Sequence, residues 1–311
     1  MSVVANTFLT FDAIGNREDL ADVIYNIAPT DTPFLAMCES VEARNTLHEW
    51  QTETLAAAGP NAQLQGDEVS FGAVQPTARL GNRTQISRKD VVVSMTQNVV
   101  NKAGRNRELV HQLLKKSKEL KRDMEYVLTG NQAPVGGATG VAQQLRPLCG
   151  WYQTNVARGV GGANGSSAAA ATDGTLRPLT EALLKPVLQQ VWTAGGEPSM
   201  VMVGPYNKTV ISGFTGNSTR FDASEDKKLV AAIDVYESDF GTLRIVPNRF
   251  QRERDCHVLT EDLWAIAYLR RPETVPLAKT GDAEKAMIVV EYTIEARNEA
   301  GSGLLADLQT S

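Results

Sequence analysis

The spacing of hydrophobic and polar residues changes along this 311-residue chain, and each change predicts a different element. Residues 44–58 alternate at every second position, as a strand does, with Leu47 and Glu49 on one side and His48 and Trp50 on the other. Neither side is strongly apolar. A hairpin built on this segment would be marginal by itself and would need a partner surface.

The second arm of this hairpin is predicted beyond a turn-rich stretch. Gly59-Pro60 marks the tip, and Val69, Phe71 and Ala73 alternate as in an extended segment. Further strand is predicted from residue 79 to residue 100, with a buried segment around Val91 to Met95.

The longest amphipathic pattern predicts a helix from Arg105 to Leu128, about 37 Å long, with Asn106 as its N-cap and Gly130 as its terminator. Apolar residues recur at helical spacing and form a stripe along one face of the helix, which we call the seam, and the opposite face is basic. The seam comprises Leu109, Leu113, Leu120, Met124 and Val127, widened by Val110, Leu114 and Leu128; the basic face comprises Lys115, Lys116, Lys118, Lys121 and Arg122.

The remaining patterns predict a mixed order of helices and strands. A short amphipathic helix is predicted at residues 16–27, and the glycine-rich stretch 131–178 is predicted as a loop between two lobes. Helix, strand, helix, hairpin and three final strands follow, at 180–194, 199–204, 205–213, 235–246, 257–260, 264–269 and 286–297. Because strands and helices do not alternate regularly, the predicted fold class is α+β.

Composition narrows the function classes. The net charge of −5 argues against a dedicated nucleic-acid-binding protein, and no apolar run is long enough to span a membrane. The cysteines Cys38, Cys149 and Cys256 are odd in number and far apart. They are therefore expected to be free thiols in a reducing compartment rather than a disulfide framework or a zinc site.

No pattern of catalytic, cofactor-binding or metal-binding residues stands out. His48, His111 and His257 are isolated, and the acidic pairs Asp67-Glu68 and Glu261-Asp262 fall in predicted turns. Cys256 beside His257 is the one marginal candidate for a nucleophile, although adjacent strand residues point to opposite faces. We therefore expect no catalytic, cofactor or metal site, and a hydrolase stays open as the less favoured alternative.

The stretch TFDAIGNREDLADVIYNIAPTDTPF, residues 10–34, resembles the N-terminal signature of the SU10-type major head proteins of tailed bacteriophages. The predicted order of elements also resembles the HK97-like capsid fold. The resemblance implies an N-terminal arm (1–43), an E-loop (44–85), a P-domain with the spine helix 105–128 and the glycine-rich loop (86–179), an A-domain (180–255), and returning P-domain strands with the C-terminus (256–311).

The same resemblance implies a non-enzymatic major capsid protein that self-assembles into hexamers and pentamers of an icosahedral shell around double-stranded DNA. It implies assembly in the host cytoplasm and a final place in the virion. The expected partners are further copies of the chain, a scaffolding protein, a portal, a decoration protein and DNA contacted without sequence specificity. An encapsulin-like compartment shell is the alternative with the same fold.

Overall fold

The computed structural model describes residues 31–66, 68, 71–100, 107–214 and 234–311. The predicted helix at 16–27 and most of the predicted arm lie outside the described residues, as do the predicted cap Asn106 and residue Asp67. The described end of the arm forms helix α1 (Pro33–Met37) and strand β1 (Glu39–Glu42), and Phe34 is fully buried. This end of the arm is therefore part of the subunit's own core.

A four-stranded sheet forms the first half of the described fold. It consists of β1, β4 (Gln85–Ser94), β10 (Trp264–Pro276) and β11 (Ala283–Ala296), in the order β1-β10-β11-β4. β1 runs parallel to β10, and the other neighbours are antiparallel. The long strands β10 and β11 confirm the strands predicted near the end of the chain.

The strand predicted as far as residue 100 ends at Ser94, and a short helix, α2 (Met95–Val99), follows it. The spine helix, α3 (Glu108–Leu128), packs against β4 and β11. It starts later than predicted, because Arg107 has an extended backbone. Leu120, Met124 and Leu128 are buried as predicted, but Val110 and Leu114 are 48% and 63% exposed. Each of these two lies one residue beyond a seam position, about 100° around the helix, and so does not widen the buried face.

A six-stranded sheet forms the second half, in the order β5-β12-β9-β6-β8-β7. Its strands are β5 (Val156–Ala157), β6 (Met200–Val203), β7 (Val235–Ser238), β8 (Gly241–Pro247), β9 (Cys256–Leu259) and β12 (Gly303–Leu305). Helices α5 (Glu181–Thr193) and α6 (Pro205–Ser212) supply Val187, Leu188 and Ile211 to a second hydrophobic core on this sheet.

The chain segment after residue 255 is shared between the two sheets. β10 and β11 lie in the four-stranded sheet, whereas β9 and β12 pair with each other and β9 also pairs with β6. β9 is buried along its whole length, because Cys256 and Val258 lie in one hydrophobic core and Leu259 lies in the other. Both helices and sheets are present without regular alternation, which confirms the α+β class.

The glycine-rich stretch 131–178 is not an open loop. Its backbone is fixed by Asp307, whose carboxylate accepts hydrogen bonds from the backbone N–H of Gly159 and Gly174, each at 2.9 Å, and from Arg254 at 2.7 Å. A Cβ at Gly159 would lie 2.1 Å from the carbonyl oxygen of Thr175. Glycine is therefore required there by close backbone packing rather than by flexibility.

Candidate functional site

The predicted hairpin exists, but its two strands are farther apart in sequence than the alternation indicated. Strand β2 (Leu47–Thr52) pairs antiparallel with β3 (Ala78–Arg83), from Leu47 opposite Arg83 to Thr52 opposite Ala78. The predicted second arm at Phe71 and Ala73 is wrong, because neither residue lies in a strand. The described residues between 53 and 77 form a long excursion instead.

The base of this hairpin packs against its own subunit. The indole Nε1 of Trp50 donates to the carbonyl oxygen of Ala296 at 2.9 Å, and His48 Nε2 lies 2.9 Å from a carboxylate oxygen of Glu295. The ring of Trp50 also lies 5.4 Å from that of Trp151. At the base of the hairpin, the end of β11 in the same subunit therefore supplies the partner surface that the sequence predicted.

Every described residue of the excursion is exposed. Leu55, Leu64, Phe71 and Val74 are 81–95% exposed, and we call the segment 53–77 that carries them the projecting loop. Large apolar side chains gathered on one exposed segment indicate a surface that another protein chain covers. The projecting loop is therefore the candidate interaction site of the subunit.

Two of the five residues of the basic face of α3 make contacts within the subunit. Lys116 pairs with Glu119 at 2.7 Å, and the guanidinium of Arg122 lies 5.1 Å from the centre of the Phe250 ring. Lys115, Lys118 and Lys121 are exposed. A partly exposed helix face of this kind is more often solvated than bound to phosphate.

The marginal nucleophile candidate does not have the properties of a reactive thiol. Cys256 and His257 are both fully buried in β9, and burial raises the pKa of Cys256 to about 12. A thiol that stays protonated at neutral pH is a poor nucleophile. The structure therefore gives no support to the hydrolase alternative at this pair.

The other candidates are dispersed. Glu261 and Asp262 lie in a single 3-10 turn, where Glu261 pairs with Arg244 at 3.2 Å. His111 lies on α3, and His48 is engaged at the base of the hairpin as described above. Glu68 is exposed, and its predicted partner Asp67 lies outside the described residues. Among the described residues, these sequence candidates thus do not converge on one site.

A cluster of chemically active side chains that the sequence did not reveal lies between the two sheets. Cys149, in helix α4 (Leu148–Trp151), donates through its thiol to the Oδ2 of Asp255 at 3.2 Å, and both residues are 1% exposed. His257 is fully buried beside them, and ligand atoms of all three lie within 4.8 Å of one another.

The electrostatics of this cluster follow from its burial. Burial, followed by the charges of Arg252 and Arg158, lowers the pKa of His257 to about 3, so that the imidazole is neutral. Burial also raises the pKa of the Cys149 thiol, an effect that Asp255 reinforces. No spacing signal could have found the cluster, because Cys149 and Asp255 are 106 positions apart in sequence. All three cysteines are free, as predicted.

No helix in the described part of the chain is long and apolar enough to cross a membrane.

Comparisons with known proteins give one consistent result. Residues 3–309 match the family described as SU10 major capsid protein. The chain is 30% identical to the major capsid protein of Escherichia phage Phieco32 over an alignment of 342 positions, which covers 96% of each sequence.

Solved structures show similarity of fold at low sequence identity. The capsid of cyanophage A-1(L) has a TM-score of 0.65 at 13% identity and covers 97% of this chain and 99% of its own. The capsid of a native GTA particle has a TM-score of 0.65 at 9% identity and covers 96% of this chain and 98% of its own. These similarities confirm the HK97-like capsid fold.

Proposed function

Because the chain belongs to the SU10 major capsid protein family and is a phage major capsid protein of the virion, we propose that it assembles through its projecting loop into hexamers and pentamers. Such rings use head-to-tail contacts, in which one surface of a subunit meets a different surface of the next. These rings then build an icosahedral shell around double-stranded DNA, which the subunit contacts without sequence specificity. We propose no catalytic role.

The observation that carries this proposal is the contrast within the hairpin. The base is fixed by hydrogen bonds from Trp50 to Ala296 and by the His48–Glu295 contact, whereas Phe71 and Val74 beyond it are 95% and 94% exposed. A rigid base with an apolar, unsupported extension is suited to lie across a neighbouring subunit. Burying one such aromatic side chain contributes about 1.5–3 kcal/mol to association.

The division of the chain into capsid domains is part of the proposal. Residues 1–43 form the N-terminal arm, 44–85 the E-loop, 86–179 the P-domain with the spine helix, and 180–255 the A-domain. In the segment 256–311, β10 and β11 would belong to the P-domain, while the pairing of β9 and β12 with the A-domain strands favours assigning those two strands to the A-domain. Further proposed partners are a scaffolding protein and a portal, acting in the host cytoplasm, and a decoration protein.

The experiment that tests the assembly role compares Phe71→Asp with Phe71→Leu in chains co-expressed with the scaffolding protein. Sedimentation and negative-stain imaging should show shells for the wild type and for Phe71→Leu, but mainly free subunits for Phe71→Asp, because a charge cannot be buried at the contact. Since Phe71 is exposed in the single subunit, the thermal midpoint of all three should agree. Wild-type yields of shells from Phe71→Asp, and from a chain lacking Ala57 to Gln65, would refute the assembly role of the loop.

A further inference from the structure

Three side chains with metal-binding chemistry converge where packing excludes solvent. They are the Cys149–Asp255–His257 cluster described above, in which the Cys149 Sγ lies 3.2 Å from the Asp255 Oδ2 and all three ligand atoms lie within 4.8 Å of one another. Cys149 comes from α4, His257 comes from β9, and Asp255 immediately precedes that strand. The cluster therefore exists only once these distant segments have folded together.

The hydrogen-bonding capacity of the cluster is not met by the described protein atoms. Neither ring nitrogen of His257 has a partner, and the Oδ1 of Asp255 has none, although both residues are buried. The ring of Tyr152 stacks on His257 at 5.8 Å, and its hydroxyl is likewise without a partner among the described residues. Buried polar atoms in folded proteins are nearly always paired, so a concentration of unpaired ones points to a bound group.

The donor set indicates which group this is. One thiolate, one imidazole and one carboxylate are the ligand types that zinc and similar transition-metal ions prefer. In a tetrahedral zinc site, bonds of about 2.0–2.3 Å place neighbouring ligand atoms about 3.3–3.6 Å apart. We propose that Cys149, Asp255 and His257 bind a divalent transition-metal ion, with zinc as the best fit and a water molecule as the fourth ligand.

The charges around the cluster are compatible with a cation. Two guanidinium groups face it, those of Arg158 and Arg252, but Arg252 is itself paired with Asp173 at 2.6 Å. Arg252 also lies 3.3 Å from the Asp255 Oδ2, and thus orients the carboxylate in the way that outer-shell partners of metal ligands do. Cys149, once deprotonated, and Asp255 together balance the two charges of the ion.

An approach to the site and a role for it are both visible. A cleft of about 330 Å³ is lined in part by Asp173 and by Arg252, whose guanidinium contacts Asp255. Trp151 and Tyr152, which follow Cys149, belong to a hydrophobic core that includes residues of β10 and β11 and also Leu259 of β9. Cys256 and Val258, which flank His257, belong to the core of the six-stranded sheet. The ion would link helix α4 to strand β9.

The test measures metal in the full-length chain. The wild type, purified from zinc-supplemented cells without chelator, should contain about one zinc ion per chain by mass spectrometry. Exchange for Co²⁺ should give the thiolate-to-cobalt charge-transfer band and the d–d bands of a tetrahedral site. Cys149→Ala should lose both signals, with zinc affinity lowered by more than the 10–100-fold typical of outer-shell changes.

Cys256→Ala is the matched control, because this buried thiol is the sequence neighbour of His257 but is not part of the cluster. It should keep the zinc and the cobalt bands. Circular dichroism establishes that each variant is folded. If Cys149→Ala does not fold, the wild type alone decides: a folded wild-type chain that takes up no zinc and gives no thiolate–cobalt band overturns the proposal, as does full zinc binding by folded Cys149→Ala.

Discussion

Glu125 is the residue whose replacement tests the packing of the fold most directly. Its side chain is fully buried on α3 and accepts three hydrogen bonds. The backbone N–H of Phe34 donates to it at 2.8 Å, that of Leu35 at 2.9 Å, and the side-chain amide of Asn248 at 2.7 Å. One carboxylate thus joins the arm, the spine helix and the end of β8.

The size of the effect follows from these contacts. Glu125→Ala leaves three buried donors unpaired, and at about 1–3 kcal/mol each the gross loss is roughly 3–9 kcal/mol. Burial raises the pKa of Glu125, although the three hydrogen bonds act in the opposite direction, so the ionised group is itself costly to bury. The net loss of unfolding free energy is therefore expected near the lower end, about 3 kcal/mol.

Glu125→Gln is the graded control. It keeps one acceptor oxygen but places an amide NH2 against one of the backbone donors, and so should cost about 1–3 kcal/mol. Urea unfolding of the isolated subunit measures both losses, and hydrogen exchange at the amides of Phe34 and Leu35 reports the local effect. If both variants unfold within about 0.5 kcal/mol of the wild type, and exchange at the two amides is unchanged, the role assigned to this carboxylate is refuted.

Two further predictions concern stability. Leu120→Ala, in the buried stripe of α3, should lower the unfolding free energy by about 2–5 kcal/mol, whereas Leu114→Ala, on the exposed face of the same helix, should change it by less than about 0.5 kcal/mol; equal losses in urea unfolding would contradict the assigned faces. Although burial opposes the shift, the backbone N–H groups of Gly174 and Gly159 and the charge of Arg254 lower the pKa of Asp307. The contribution of Asp307 to the unfolding free energy is therefore present above the unfolded pKa of about 3.9, and it is lost as the pH falls through the lower folded pKa. Asp307→Asn should cost about 2 kcal/mol at pH 7 and remove this part of the acid-side slope of stability; an unchanged slope between pH 7 and pH 3 would count against it.

Periodicity predicted the parts of the fold that local pattern controls. The spine helix, the hairpin at β7 and β8, and the buried strands β6 and β11 were all expected from the spacing of apolar residues. Periodicity could not decide which of two neighbouring apolar rows is buried, because Leu120 and Leu114 are equally apolar. Their burial depends on where β4 and β11 lie, and that is a property of the whole fold.

Composition misled where long-range contacts set the structure. The glycines of 131–178 predicted a loop, yet the contacts of Asp307 with Gly159 and Gly174 join positions 133 to 148 residues apart and hold the segment in one conformation. The Cys149–Asp255–His257 cluster was missed for the same reason. Motif spacing detects ligands on one element, whereas these ligands meet only across the interface between α4 and β9.

The position of β12 within the six-stranded sheet also bears on when the subunit becomes competent to assemble. β12 lies between β5 and β9, so residues 303–305 fill an interior place in a sheet whose other strands are translated earlier. In the four-stranded sheet, the edge strand β1 pairs with β10, which is translated more than 200 residues later. Neither sheet can form completely until the C-terminal part of the chain has been translated. A chain whose synthesis has not passed residue 305 therefore lacks an interior strand of the six-stranded sheet.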